Sequence, residues 1–263
     1  MSELIFDTHA HYDDKAFDED RKELLERLPA GGIGRVVNVG STVASCEACL
    51  KLAEEYDHVY AAVGVHPSET EELNEEVFEG LRKQCQHPKC VAVGEIGLDY
   101  YWPEPGADVQ KKWFERQLEL ARELKKPVII HSREACKDTL DVLRAHAAEE
   151  IGGVIHCYSY SAETARDYLK LGFFFGIGGV LTFKNSKKLK ETVEMLPMES
   201  MILETDCPYL APAPHRGKRN SSLMLPYVVE AMAQIKGISP EEVRRITWEN
   251  ACRLYRMDEG LDV

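Results

Sequence analysis

"LIFDTHAH", residues 4–11, is an apolar run that ends in two histidines, and the same grammar returns along the chain. Side chains alternate faces in a β-strand, so His9 and His11 point the same way, roughly 6.6 Å apart at their roots. Seven further apolar runs of strand length follow: "RVVNVG" (35–40), "VYAAVGVH" (59–66), "VAVGEIGLDY" (91–100), "PVIIHS" (127–132), "GVIHCYS" (153–159), "FFFGIGG" (173–179) and "MILETD" (201–206). Between them lie stretches of helical period. In "VQKKWFERQLELARELKK" (109–126), apolar residues fall at 113, 114, 118, 120, 121 and 124. A last helical pair spans about 221–236 and 240–256, and "SPEEV" (239–243) starts the second with Ser at the N-cap, Pro at the first helical position and Glu in the first turn. Eight strands alternating with helices predict an α/β fold: a single (β/α)8 TIM barrel with a closing C-terminal helix, one domain over residues 1–263. An open doubly wound sheet needs a switch point and usually a Gly-rich first turn, and none follows the first strand.

The chain has 263 residues, 44% hydrophobic and 29% charged, which fits a soluble protein with a substantial core. The N-terminus has no basic segment before an apolar one, and no apolar run approaches transmembrane length, so a cytoplasmic protein without a membrane contact is expected. Eight cysteines are scattered through the chain and read as reduced thiols. Cys46 and Cys49 form a C-x-x-C inside the helical "VASCEACLKLAEEY" (43–56), where a packed helix face is expected rather than a redox or zinc site. A net charge of −13 repels nucleic acid at long range, so a polyanionic substrate needs positive charge concentrated locally. No repeat, low-complexity segment or linker is evident, and nothing points to an obligate protein partner.

Strand C-termini of such a barrel open onto one bowl, where active sites lie. There fall His9, His11, His66, Glu95, His131, His156 and Asp206, which include five of the nine histidines. A lone histidine at a strand end commonly anchors a loop. Five of them with two carboxylates on one rim point instead to a metal cage, because buried imidazoles and carboxylates are costly unless paired or coordinated. Nitrogen and oxygen donors leave zinc, magnesium and manganese open. Glu204 and Asp7, two residues deeper than Asp206 and His9, are expected to orient ligands. Cys157 and Cys207 are expected to face outward by alternation. "PHRGKRN" (214–220) carries Arg216, Lys218 and Arg219 after the last strand, where barrels often bind phosphate, and Arg133 shares the face of His131. The basic loop fits either phosphate contact or a solvated charge run, and "GIGG" (176–179) either a phosphate cradle or close packing. Tyr100, Tyr101 and Trp102 fit base stacking or a cap on the barrel rim.

Taken together, "DTHAH" (7–11), "GVHP" (64–67), "GEIGLDYY" (94–101), "PVIIHSR" (127–133), "IHCYS" (155–159), "ETDCPYLAPAPHRGKRN" (204–220) and "NACRLY" (250–255) resemble the TatD family of metal-dependent deoxyribonucleases, which are amidohydrolase-like barrels. The resemblance implies that His9, His11, Glu95, His131, His156 and Asp206 are metal ligands, with Glu95 bridging two divalent ions. Mg2+ is the functional ion it favours, with Mn2+ or Zn2+ as alternatives. It implies a phosphodiester hydrolase working from the 3′ end of single-stranded DNA, with RNA not distinguished, through a water activated by two metals. Asp206 would take the water's proton beside Glu95. His66 would contact the phosphate or leaving oxygen, or else order the loop before Pro67. Arg133, Arg216, Lys218 and Arg219 would hold substrate phosphates. The same cage also serves hydrolysis of small esters, lactones or amides. A nucleic-acid-binding protein with a closed structural metal is a third class. Two departures stand out: "HCYSYS" (156–161) brings Tyr158 and Tyr160 near the presumed base wall, and Ser221-Ser222 follow "GKRN" where many members have Glu-Pro.

Overall fold

Eight parallel strands lie in chain order in one sheet in the computed structural model, which describes residues 4–258. They are β1 Ile5–Ala10, β2 Ile33–Val39, β3 Val59–Val63, β4 Cys90–Asp99, β5 Val128–Arg133, β6 Gly153–Ile155, β7 Phe174–Ile177 and β8 Met201–Leu203. The helices are α1 Arg21–Arg27, α2 Val43–Glu55, α3 Glu75–Cys85, α4 Ala107–Leu124, α5 Cys136–Ala145, α6 Ala162–Lys170, α7 Lys187–Met195, α8 Leu225–Lys236 and α9 Pro240–Tyr255. Each parallel pair needs a crossover, and a helix supplies it on the outer face. The last seam is closed by the segment past β8: Asp206 N donates to His9 O at 2.9 Å, and His11 N to Cys207 O at 2.8 Å. The expected (β/α)8 barrel is therefore the observed fold, closed at its base by α9.

Two apolar cores follow from this arrangement. The larger lies between strands and helices. The smaller fills the barrel interior with Phe6, Val37, Val39, Ala62, Ala92, Ile129, Val154 and Ile202, and Trp248, Ala251, Cys252, Leu254 and Tyr255 of α9 plug it from below. Ser239 caps α9 as expected, accepting from Glu242 N. Asn250 Nδ2 ties the helix to Met198 O and Met201 O at 2.7 Å each, and the Tyr255 hydroxyl donates to Thr8 O at 2.9 Å.

Strands β3, β6 and β8 end earlier than their apolar runs suggest. His66, His156 and Asp206 thus sit just past strand ends rather than within them. Two strands also change parity. Phe6 and Ala92 point into the interior core, yet so do His9 and Glu95, an odd number of residues further on. Strict alternation forbids this. Register shifts between Asp7 and Ala10 in β1, and between Val93 and Ile96 in β4, make it geometrically allowed. In β5 the parity is unbroken from Ile129 to His131, while His156 and Asp206, just past β6 and β8, lie an even number of residues beyond the inward Val154 and Ile202.

Candidate active site

Glu95 lies at the centre of the bowl, and its two oxygens face different partners. Oε2 lies 3.5 Å from His9 Nε2. Oε1 lies 2.8 Å from His131 Nδ1 and 3.7 Å from His156 Nε2. On the β1 side, His9 Nε2 and His11 Nε2 face each other at 3.1 Å, and Asp206 Oδ1 sits 3.4 Å from His11 Nε2 and 3.9 Å from His9 Nε2. The same oxygen is 3.8 Å from His156 Nε2, and the rings of His9 and His156 stack with centroids 3.5 Å apart.

Each imidazole turns one nitrogen inward, and for three of them a partner faces the other. His11 Nδ1 donates to Val39 O at 2.8 Å, so Nε2 is the nitrogen presented to the bowl. His131 Nε2 meets Asp99 Oδ2 at 3.0 Å, and His156 Nδ1 lies 3.1 Å from Glu204 Oε1. Such carboxylate–imidazole pairs fix ring orientation and raise the basicity of the inward nitrogen. Glu204 is fully buried, and its Oε1 also accepts from Cys157 N at 2.6 Å. Gly176 makes the room: a Cβ there would stand 2.0 Å from Glu204 Oε2. Gly97 likewise lets β4 approach β5, since a Cβ would meet His131 O at 2.0 Å, and its φ of +142° is one that L side chains rarely adopt. Buried Asp7 clamps the two ends of the barrel seam. It accepts from Thr205 Oγ1 at 2.7 Å, Thr205 N at 3.1 Å and Ser222 Oγ at 2.6 Å. Thr205 precedes Asp206, which is held in the left-handed region at φ 56°. The amides of α4 serve the opposite rim: Gln117 bonds both backbone groups of Val65, and Gln110 both of Asp99.

Proton occupancy follows from this crowding. Burial would lower His11 and His156, but nearby carboxylates outweigh it. Asp206 lifts His11 to about 9, and Glu204 and Glu95 lift His156 to about 10. Asp99 and Glu95 raise His131 against the same burial. His9 goes the other way, lowered by burial and by His156. Glu95 stays well below the ordinary carboxylate range despite burial, because His156 and His9 flank it. His66 falls to about 4 through burial and the charge of His131.

Two ring nitrogens nose to nose, flanked by Glu95 and Asp206, are a donor set that a divalent cation would satisfy. Among the described residues His9 Nδ1 is buried without a hydrogen-bond partner, and His156 Nδ1, 3.1 Å from Glu204 Oε1, meets it as a charge contact outside hydrogen-bond geometry. His9, His11 and Asp206 each offer an atom within 4.8 Å of the others, and so do His9, Glu95 and His156. Nitrogen and oxygen donors of this kind suit divalent metals. The model of the TatD-related DNase family matches residues 6–256. The chain belongs to the TatD family. It is 42% identical over 255 residues to the Bacillus subtilis (strain 168) protein named uncharacterized metal-dependent hydrolase YabD, covering 97% of this chain and 100% of that one. A Rahnella sp. (strain Y9602) relative, named 3′-5′ ssDNA/RNA exonuclease TatD, is 32% identical over 259 residues, covering 96% and 98%. Among solved structures, YJJV, a TatD homolog from Escherichia coli K12, superposes with a TM-score of 0.91 at 30% identity, covering 97% of this chain and 98% of that one. The protein is thus a TatD-family metal-dependent hydrolase.

The six ligand candidates of this TatD barrel, His9, His11, Glu95, His131, His156 and Asp206, converge. His66 lies beside His131, ring centroids 4.3 Å apart, and its Nδ1 accepts from Ser68 N at 3.2 Å, so the imidazole also orders the loop after β3. Arg133 lines the cleft above the histidines. The basic loop does not. Both terminal nitrogens of Arg219 grip Asp20, at 2.7 and 2.5 Å, and Arg216 stacks over Phe183 at 4.5 Å. Neither these two nor Lys218 lines the cleft. Cys157 does not face the helices: its backbone is left-handed at φ 44°, where alternation no longer holds, and its thiol lies within 4.8 Å of His156 and Glu204 donor atoms. Cys207 is buried, as packing requires, and so are Cys46 and Cys49 on α2. Tyr158 packs on Phe175 and donates to Ser161 O, while the Tyr160 hydroxyl meets Ser132 Oγ at 3.0 Å. Neither forms the cleft wall. Tyr100 donates to Asp138 at 2.8 Å, which leaves Tyr101 and Trp102 as the exposed aromatics after β4. Asp99, Gln110 and Gln117 were not marked by sequence. Asp99 could have been, since it lies four residues past Glu95 on the same face of an extended strand.

Proposed function

We propose that this TatD-family hydrolase cleaves phosphodiester bonds, removing nucleotides from the 3′ end of single-stranded DNA or RNA with two divalent cations held at the bowl. The observation that carries this is the division of Glu95: one oxygen toward His9, the other toward His131 and His156. A carboxylate so placed, with His11 and Asp206 on one side, matches a two-cation donor set whose members lie close together. The cations would supply charge neutralisation at phosphate and a water of lowered pKa. The chain's own groups do the rest. Asp206 is ionised, since His11 and His156 hold it below the ordinary carboxylate range against burial, and it is partly open to the cleft. It takes the proton of the attacking water. His66 is neutral at pH 7, and with Nδ1 accepting from Ser68 its ring proton is on Nε2, ready to donate to a phosphoryl or leaving oxygen. Asp99 and Glu204 hold His131 and His156 in orientation without touching substrate. End polarity and nucleic-acid preference rest on the name of the Rahnella relative.

The test is chelation followed by metal restoration, with single-stranded oligonucleotides, bis-p-nitrophenyl phosphate, p-nitrophenyl acetate and a lactone as substrates. EDTA should abolish phosphodiester turnover, and Mg2+, Mn2+ or Zn2+ should restore it. Full activity in protein shown by elemental analysis to be metal-free overturns the mechanism. Turnover of ester or lactone alone moves the assignment to small-molecule hydrolysis.

A further inference from the structure

The cleft above the histidines has a volume of about 560 Å3, and its border is poor in positive charge. Among the described residues lining it, Arg133 is the single lysine or arginine, whereas Asp13, Asp14 and Glu69 also line it. Lys218 does not line the cleft, and three arginines near the rim turn to other groups. Arg219 is bidentate on Asp20, Arg216 lies over Phe183, and Arg21 donates to Tyr12 O and to Asp18. A long single strand approaching this mouth would place successive phosphates against carboxylates. Like charges at such range repel, and the net charge of −13 adds to the effect.

The walls carry aromatic surface instead. Trp102, 53% exposed, enters after β4, and Tyr209, 54% exposed, enters after β8, half-way round the barrel. Tyr101 lies under the Arg133 guanidinium at 3.7 Å and edge-on to Trp102 at 4.8 Å, and the Tyr209 hydroxyl is held by Asp14 at 2.9 Å. Exposed rings on two sides of a polar floor are surfaces on which bases stack. Resting on the phosphodiesterase reading above, we infer that the site is built for short strands of two or three nucleotides. Arg133 grips the one phosphate next to the scissile group, a base stacks on Trp102 or Tyr209, and no cationic track follows a longer chain.

Binding of hydrolysis-resistant phosphorothioate (dT)3 and (dT)20, each 5′-fluorescein-labelled, to the Mg2+-loaded protein measures this by fluorescence anisotropy across a salt series. The two dissociation constants should agree within about twofold, with log–log salt slopes of roughly 0.7 to 1.4, the value for one or two phosphates on a single strand. Arg133→Ala should weaken (dT)3 about tenfold, the loss of one charge-assisted contact. Asp14→Asn with Glu69→Gln should tighten (dT)20 more than (dT)3. The inference is overturned if (dT)20 binds tenfold or more tighter with a slope of 3 or above, or if Arg216, Lys218 and Arg219 all changed to Ala selectively weaken it. Turnover of bis-p-nitrophenyl phosphate, which needs neither base walls nor a second phosphate, tells the two failures apart. If it persists, only the short-strand inference falls; if it is absent along with all strand cleavage, the phosphodiesterase reading falls as well.

Discussion

The two ends of the barrel are made by the same eight strands and have opposite character. At the closed end the inward side chains are Phe6, Val37, Ala62, Ala92 and Ile129, sealed by Trp248 and Tyr255 of α9. At the open end the inward side chains are His9, Glu95, His131, His156 and Asp206. Dispersion and burial hold the first, and removing a ring leaves a void that the neighbours cannot fill. The second is a set of buried ionisable groups that neutralise one another and are aimed inward by Asp99, Glu204 and Val39 O. Stability and chemistry are thus separated along one axis, and changes at either end should affect different observables.

The largest effect is expected at the open end. Glu95→Ala removes the group shared by both halves of the cage, so bound metal should be lost and turnover should fall by about three orders of magnitude or more. Elemental analysis and steady-state rates check this, and a variant with full metal content and near-native turnover breaks the central assignment. Trp248→Ala sharpens the contrast from the other end. It should lower unfolding stability by about 3–5 kcal/mol in denaturant titrations, yet leave turnover per folded molecule unchanged. A selective loss of turnover there would erase the separation of the two ends.

Supporting carboxylates come next. Asp99→Asn and Glu204→Gln keep shape but remove the charge behind His131 and His156, and should each reduce metal affinity or activity by about 10- to 100-fold. Calorimetric metal titration distinguishes them from a direct ligand, because stoichiometry should persist. A pH effect of the same origin follows. His11 and His156 are raised to about 9 and about 10 in the folded chain, above the ordinary value of 6.5. Their protonated forms therefore stabilise the metal-free fold fully below pH 6.5, and that contribution is lost as pH rises through 9 to 10. Melting temperature of EDTA-treated protein should fall across this window, while metal affinity rises because fewer protons must be displaced. A flat profile for both would show that these histidines are not proton-loaded. The smallest effect is expected for Arg216, Lys218 and Arg219 changed together to Ala. Their side chains do not line the cleft, so turnover of a trinucleotide should shift less than about twofold at constant salt, within the range for surface charge changes.

The barrel and most of the cage were legible in the sequence because both rest on local regularities. Apolar runs at strand length, helical period between them, and ionisable residues at run ends need no knowledge of distant contacts. The pair His9 and His11 is the plainest case: alternation predicts that they share a face, and their Nε2 atoms meet at 3.1 Å although His11 lies just past β1. What local regularity could not supply was decided by tertiary structure. Register shifts in β1 and β4 reverse which parity faces inward, and they arise from pairing with neighbouring strands. Cys157 turns into the site because its backbone leaves the extended region. The basic loop looked free for phosphate until Arg219 met Asp20, 199 residues away in sequence, and Arg216 met Phe183. A charged side chain binds whichever partner the fold brings nearest. Residue type and spacing therefore brought the candidate donors to one rim, whereas long-range packing determined which charged side chains line the cleft.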